Sequence, residues 1–459
     1  GPWDSWPIEP WDFECPPFSP EAGRWAYAGW VARLFSGQAH QENPKNGLVV
    51  RGVARQNAIA AFLDNLDLKG IQQSDDKLSE VSAHLGQDWH RALQLSVQEA
   101  LGRGPFSVVD KTTLPPSADA HDYWHPAPYY WPTLPGLPYM PRDGKRVPGT
   151  RMYEPESDRY DRTRLQRLFD DVYVLAMESI LHGNSQAEQH ALRLIKHWFI
   201  NTDTAMNPHM KYAQVRPGWD GNQGSSSGII EAKDVYFFLD AARWLVTRNV
   251  LKGDDLEAFT TWFTEYLQWL MTSPQGQKER KSANNHGTYY DLQVASIAHF
   301  LKDETLARQT FRDSYYRLMN QFTPDGQQPH ELKRTTTAHY CCFNLQGWVH
   351  LAELASVYDE DLWHFTGPQG QGLKVAFEWL LAHDPEAWPY QQINAFDTQR
   401  FLPLRCIYQK VYDQAPDDAL IEAYKESKPV FHPHDGIRPF WQLAALSTTA
   451  LKQNAIPNA

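Results

Sequence analysis

The chain has 459 residues, of which 42 % are hydrophobic and 21 % charged, a globular rather than disordered composition that can build a large core without disulfide or metal staples. A net charge of −12 argues against nucleic acid or an anionic membrane as the main partner, and the lack of any apolar run of about 18 residues excludes a membrane-spanning helix. The 18 Trp, 21 Tyr and 21 Phe are numerous enough to form flat stacking surfaces as well as core.

Gly1-Pro2 reads as a protease-cleavage remnant, and a secreted or periplasmic protein that has lost a signal peptide is expected. Cys15, Cys341, Cys342 and Cys406 are too few and too scattered for a disulfide framework or a zinc module, so they are expected to be small core residues. Helical spacing recurs near 23–35, 53–66, 79–101, 186–200, 231–250, 289–301, 304–321, 343–358, 372–382, 402–413 and 440–452. It is plainest over 162–184, where Leu165, Leu168, Phe169, Val172, Leu175, Ala176 and Ile180 share one face, with Asp161 as the expected cap and Gly183-Asn184 as the stop. A second such face, Leu256 to Leu270, ends at Ser273-Pro274. About 13 helices in series, with almost no strand alternation and no fixed repeat, predict an all-α fold. Its architecture is expected to be an incomplete α/α toroid of helix hairpins, with residues 1–459 forming one domain.

Two segments break the helical rhythm. Residues 105–161 hold Tyr129, Tyr130 and Trp131 among closely spaced prolines, which forbid helix, and a long loop inside a compact domain usually serves a site. Residues 201–230 end in a Gly/Ser run whose Gly224-Ser225-Ser226-Ser227-Gly228 matches a nucleophile-elbow pattern but lacks the preceding strand and underlying sheet. His121 and His125 have helical ligand spacing in a Pro-rich segment without the accompanying Glu, so no zinc site is expected there.

Asn284-Asn285-His286-Gly287 precedes a helix expected to open at Thr288, an arrangement of amides and imidazole suited to a carboxylate. Glu331-Leu332-Lys333-Arg334 precedes His339-Tyr340, which places a cation near a phenol whose pKa it could lower. Arg142, Lys145, Arg146, Arg151, Arg159, Arg162, Arg164 and Arg167 follow the aromatic segment, and Lys211 and Arg216 flank the second loop. Aromatic faces for sugar rings, with cations and amides for carboxylates, point to an anionic sugar polymer as partner.

These segments, HDYWHPAPYYWP, GLPYMPRDGK, SDRYDRTRLQRL, MNPHMKYAQVRPG, WLMTSPQGQ, NNHGTYYDLQVASIA, PDGQQPHELKRT and HYCCFNL, occur in order over roughly 105–365. In them the chain resembles the alginate lyase superfamily of polysaccharide lyases, most closely family 38 and more distantly family 5. The resemblance implies an α/α toroid that cleaves β-1,4-linked polyuronate, polymannuronate (alginate) or glucuronan, by β-elimination. By motif it makes Asn285 and His286 the carboxylate-neutralising Asn and the catalytic His, Arg334 the site Arg and Tyr340 the catalytic Tyr. It places Tyr212 and Gln214 in a substrate-lining loop and Tyr129, Tyr130 and Trp131 in an aromatic wall, with Asn284, Glu331 and His339 also expected at the substrate. Gly287 departs from family 5, which has Ser there. No metal or cofactor is expected, because protein groups can neutralise the carboxylate. Two other classes remain open at this point: a non-catalytic binder of acidic polysaccharide, and a hydrolase on a similar toroid, for which Glu331 and Asp291 are the nearest carboxylates.

Overall fold

A computed structural model describes residues 87–142, 144–396 and 400–412; the helices expected near 23–35, 53–66 and 440–452, with Cys15, lie outside them. Eleven α-helices are present among the described residues, and the strands are four short segments of two to four residues. Helix α1 is Gln87–Leu101, α2 Arg162–His182, α3 Ser185–Ile195, α4 Val235–Thr247, α5 Gly253–Thr272 and α6 Pro274–Arg280. They are followed by α7 Asn285–Phe300, α8 Glu304–Gln321, α9 Thr337–Val357, α10 Leu373–Leu381 and α11 Phe401–Val411. None is long and apolar enough to cross a membrane.

The helices form an incomplete α/α toroid. Helices α2, α4, α7 and α9 pack side by side in that order as an inner layer. Their hairpin partners lie behind them: α3 against α2, α8 against α7, and α10 against α9. Inner position explains why α7 is buried on nearly every face despite its polar Thr288, Asp291, Gln293 and Ser296. Three of those side chains are hydrogen-bonded to buried neighbours: Thr288 to Asn344, Asp291 to Arg317, and Gln293 to the Ile229 carbonyl. The core between α4, α5 and the single π-helical turn Lys196–Ile200 is aromatic, with Phe199 edge-on to Trp262 at 4.6 Å and stacked near Phe238.

Local chemistry sets the helix ends. Asn184 caps α3 by accepting from the Gln186 and Ala187 amides. Ser273 closes α5 and caps α6 at once, accepting from Gly276 N, with Pro274 in the first turn. Asp161 does not cap α2 as expected. Its buried carboxylate instead lies 3.0 Å from Lys111 Nζ and accepts from the Trp124 amide at 2.8 Å, tying the start of the aromatic segment to the inner layer. The helices expected from Thr288 and near 343 begin earlier, at Asn285 and Thr337, so Asn285-His286 and His339-Tyr340 sit in first helical turns, while Glu331–Arg334 precedes its helix.

Residues 105–161 are loop with short 3₁₀ turns and strands, as the prolines require. Strand β1 (Trp124–Pro126) pairs in parallel with β4 (Tyr212–Val215), and β2 (Tyr130–Trp131) pairs antiparallel with β3 (Met140–Pro141). The glycines of the Gly224–Gly228 run explain themselves here. A Cβ on either would fall within 2.3 Å of the Ala213 carbonyl oxygen, so they let the loop lie flat on β4 and form no nucleophile elbow. Cys341 and Cys342 are buried and unbridged, in keeping with core residues.

Candidate active site

The first turn of α7 carries Asn285 and His286. Asn284 is the cap, its Oδ1 accepting from His286 N at 3.0 Å. Asn285 is buried, and its backbone amide and side-chain Nδ2 both donate to Glu331. The two carboxylate oxygens, 3.1 and 2.9 Å from Nδ2, subtend far less than the angle between the amide's two N–H bonds. One N–H therefore straddles them and the other points away from Glu331. Glu331, expected to touch substrate, is only 1 % exposed and serves as the mount for Asn285; burial pushes its carboxyl above the usual range, against the pull of Asn285, Arg334 and His286.

His286 Nδ1 is 2.7 Å from Glu279 Oε2, at the end of α6, which leaves Nε2 for a ligand. Glu279 is 2 % exposed. Nothing in the sequence singles it out, because it is one Glu seven residues before the His on a different helix.

Gly287 has a steric reason. A Cβ there would stand 1.9 Å from Arg317 Nη1 and 2.3 Å from the Ser282 carbonyl oxygen. Arg317 fills that space, pairing with Asp291 of α7 at 2.8 Å and donating to the carbonyls of Arg280 and Ser282. Gly287→Ala is expected to cost ~1–3 kcal/mol by overpacking, read as a lower melting temperature; an unchanged one would show that Arg317 yields freely.

Facing this turn is the segment before α9. Arg334 Nη2 donates to the Tyr340 hydroxyl at 2.8 Å, and its guanidinium carbon lies 4.0 Å from the ring centroid. Arg334 and His286 both act electrostatically on Glu331, so the two motifs converge on one carboxylate. The phenol is not lowered overall, as the cation alone would predict. Burial pushes Tyr340 above its ordinary value, with Arg334 pulling down and Tyr129 and Glu331 adding to the rise. His339 meets Tyr340 edge-on at 5.1 Å and stacks toward Phe343.

The aromatic segment reaches Tyr340 through Tyr129 and Arg146, which are close enough to influence it electrostatically. Each ring of the wall has a guanidinium beside it: Arg146 at 5.4 Å from Tyr129, Arg216 at 5.6 Å from Tyr130 and Arg142 at 5.3 Å from Trp131. Such pairs can offer a sugar face and a cation together, although the Arg216 guanidinium already pairs with Asp220. Tyr212 sits on β4 near Lys211 and His209. Gln214, also on β4, has both ends of its amide engaged within the protein: it donates to Glu231 at 3.1 Å and accepts from Ser227. Glu231 is itself fully buried. Burial would raise its carboxyl, but His125, Arg162 and Tyr123 outweigh that and hold it at about 2. Among the described residues no three His, Cys, Asp or Glu side chains gather as metal ligands.

A sequence model described as alginate lyase matches residues 107–388, well over half of the chain. A solved alginate lyase from Bacteroides ovatus is similar at 29 % identity, covering 80 % of this chain and 97 % of that one, with a TM-score of 0.69. Alginate lyase A1-III from Sphingomonas species A1 matches at 15 % identity and TM-score 0.46, over 76 % of this chain and 94 % of that one. A variant of A1-III complexed with a tetrasaccharide matches at 14 % identity and TM-score 0.47, over 85 % and 94 %. No curated protein sequence matches. With the helical toroid and the ordered motifs in hand, the extent of that match places the chain in the alginate lyase family, as a polysaccharide lyase.

Proposed function

We propose that the enzyme cleaves β-1,4-linked polyuronate, polymannuronate or glucuronan, leaving a 4,5-unsaturated uronate end. The observation that carries this reading is the 2.8 Å hydrogen bond from Arg334 to the Tyr340 hydroxyl, beside a turn offering an amide N–H and an imidazole. In this reaction the C5–H bond breaks, the electron pair forms the C4–C5 double bond, and the C4–O bond to the next sugar breaks. The C5 proton is weakly acidic because its neighbouring carboxylate is already negative. Asn285, His286 and Arg334 offset that charge as it grows in the transition state. Tyr340 takes the proton through the minor phenolate form that Arg334 stabilises against the effect of burial, and returns it to the departing O4.

One residue can serve both steps on mannuronate and glucuronate, where the C5 proton and C4 oxygen share a side of the ring. On guluronate they lie on opposite sides, and His286 Nε2 would be the base with Tyr340 as acid. Glu279 fixes the ring for that task, so Glu279→Gln is expected to lower polyguluronate turnover about 10-fold more than polymannuronate turnover. An equal loss on both would show that the Glu279–His286 pair acts through charge neutralisation alone.

The hydrolase reading loses its carboxylates. Glu331 is engaged by Asn285, and Asp291 is 2 % exposed and paired with Arg317 and Ser314, so neither forms an open pair flanking a bond. A panel of uronate polymers followed by ultraviolet absorbance and product mass tests the proposal. Absorbance should rise with no water added to the products; products heavier by one water would overturn elimination, and an intact polymer would favour a binding protein.

A further inference from the structure

Of the five residues between Arg334 and Tyr340, four, 335–338, are tied by hydrogen bonds to a distant segment that begins at the last residue of the family match, Trp388. Ile393 N donates to Thr335 O at 3.0 Å, and Thr336 bridges antiparallel to Gln392. Thr337 N and Oγ1 both donate to Gln391 O, at 3.0 and 2.6 Å, and Oγ1 accepts from Trp388 Nε1 at 2.8 Å. Ala338 N donates to Gln392 Oε1 at 2.9 Å. Thr336, the cap position of α9, makes no side-chain cap bond of its own, so Gln392 supplies that cap from 54 residues away. The far side of this strap is anchored by rings: Trp388 packs against Trp379, His383, Tyr390 and Phe401.

We infer that Trp388–Ile393 is a positioning element for the acid–base pair: by holding residues 335–338 it sets the Arg334–Tyr340 distance and, through it, the ionisation of the phenol. This rests on the role proposed for Tyr340. A cation within hydrogen-bond reach stabilises phenolate strongly, and that effect weakens as the guanidinium drifts away. The charged and titratable groups around Tyr340 are Arg334 and Glu331 from the preceding segment, Tyr129 and Arg146 from the aromatic loop, and His339 on its own helix. Residues 388–394, Trp-Pro-Tyr-Gln-Gln-Ile-Asn, contain no ionic side chain. Altering the strap therefore removes no charge from the site, and a changed pH profile reports geometry.

The test uses Thr337→Val, Thr337→Ser and Gln392→Ala in the full chain, with Tyr340→Phe in parallel. Each is assayed on polymannuronate and glucuronan across pH, alongside melting temperature. Thr337→Val and Gln392→Ala should move the acidic limb of kcat upward by about one pH unit with KM nearly constant, whereas Thr337→Ser, which keeps the hydroxyl, should retain the wild-type limb. Gln392→Ala removes the cap on Ala338 N and a bond to the Asn394 carbonyl, leaves the Thr337 contacts in place, and serves if Thr337→Val does not fold. Variants that lower only the melting temperature and leave the limb in place, while Tyr340→Phe is inactive, would overturn the positioning role alone. Retained turnover in Tyr340→Phe would overturn both this role and the mechanism beneath it.

Discussion

Tyr340→Phe is expected to lower turnover by ~10²–10⁴-fold, the usual worth of a positioned general acid–base group. It keeps the ring, its packing and the neighbouring His339, and removes the hydroxyl that takes the Arg334 hydrogen bond. Substrate affinity should change little, because the aromatic wall of Tyr129, Tyr130 and Trp131 and its guanidinium partners are untouched. A purely structural Tyr340 would behave otherwise. Losing one hydrogen bond would cost ~1–2 kcal/mol of stability at most, with turnover nearly intact. Turnover and melting temperature measured on one sample separate the cases: near-wild-type turnover rules out the proton-transfer role whatever the melting temperature does.

The parts of the structure that were legible in the sequence are those governed by local rules. The face from Leu165 to Ile180 and the run 304–321 fall on α2 and α8, because a single apolar stripe facing a core repeats every three to four residues. The starts of α7 and α9 were misplaced for the complementary reason. Asn285, His286, Thr337 and His339 interrupt the apolar pattern, yet the helix already includes them because inner helices are packed on all sides and their polar groups find buried partners. The pairing of Arg334 with Tyr340 was readable as proximity. Its electrostatic outcome was not, since the burial that opposes the cation exists only in the folded chain. Glu279, Arg317 and Gln392 were invisible for a similar reason: each acts on the site from another element, and nothing local marks a supporting side chain.

Arg334 should be nearly as costly to lose. Arg334→Ala removes the 2.8 Å donor to the Tyr340 hydroxyl and the guanidinium beside its ring, while burial and Glu331 continue to push the phenol upward. The phenol therefore rises further, less phenolate is present at neutral pH, and the acidic limb of kcat moves to higher pH by about one unit or more. Loss of a donor aimed at developing negative charge adds to this, and kcat near pH 7 should fall by ~10²–10³-fold. Raising the pH should recover part of the loss, because it restores phenolate but not the donor. Arg334→Lys should bring the limb back toward wild type while leaving kcat low. An ammonium restores the charge, but it lacks the planar fork that can hold the phenol and a substrate carboxylate together. If Arg334→Ala instead raises KM while kcat and its pH limb stay in place, Arg334 binds the substrate carboxylate equally in ground and transition states. Ionisation of the phenol would then rest on other cations, such as Arg146, which acts on Tyr340 from the aromatic loop.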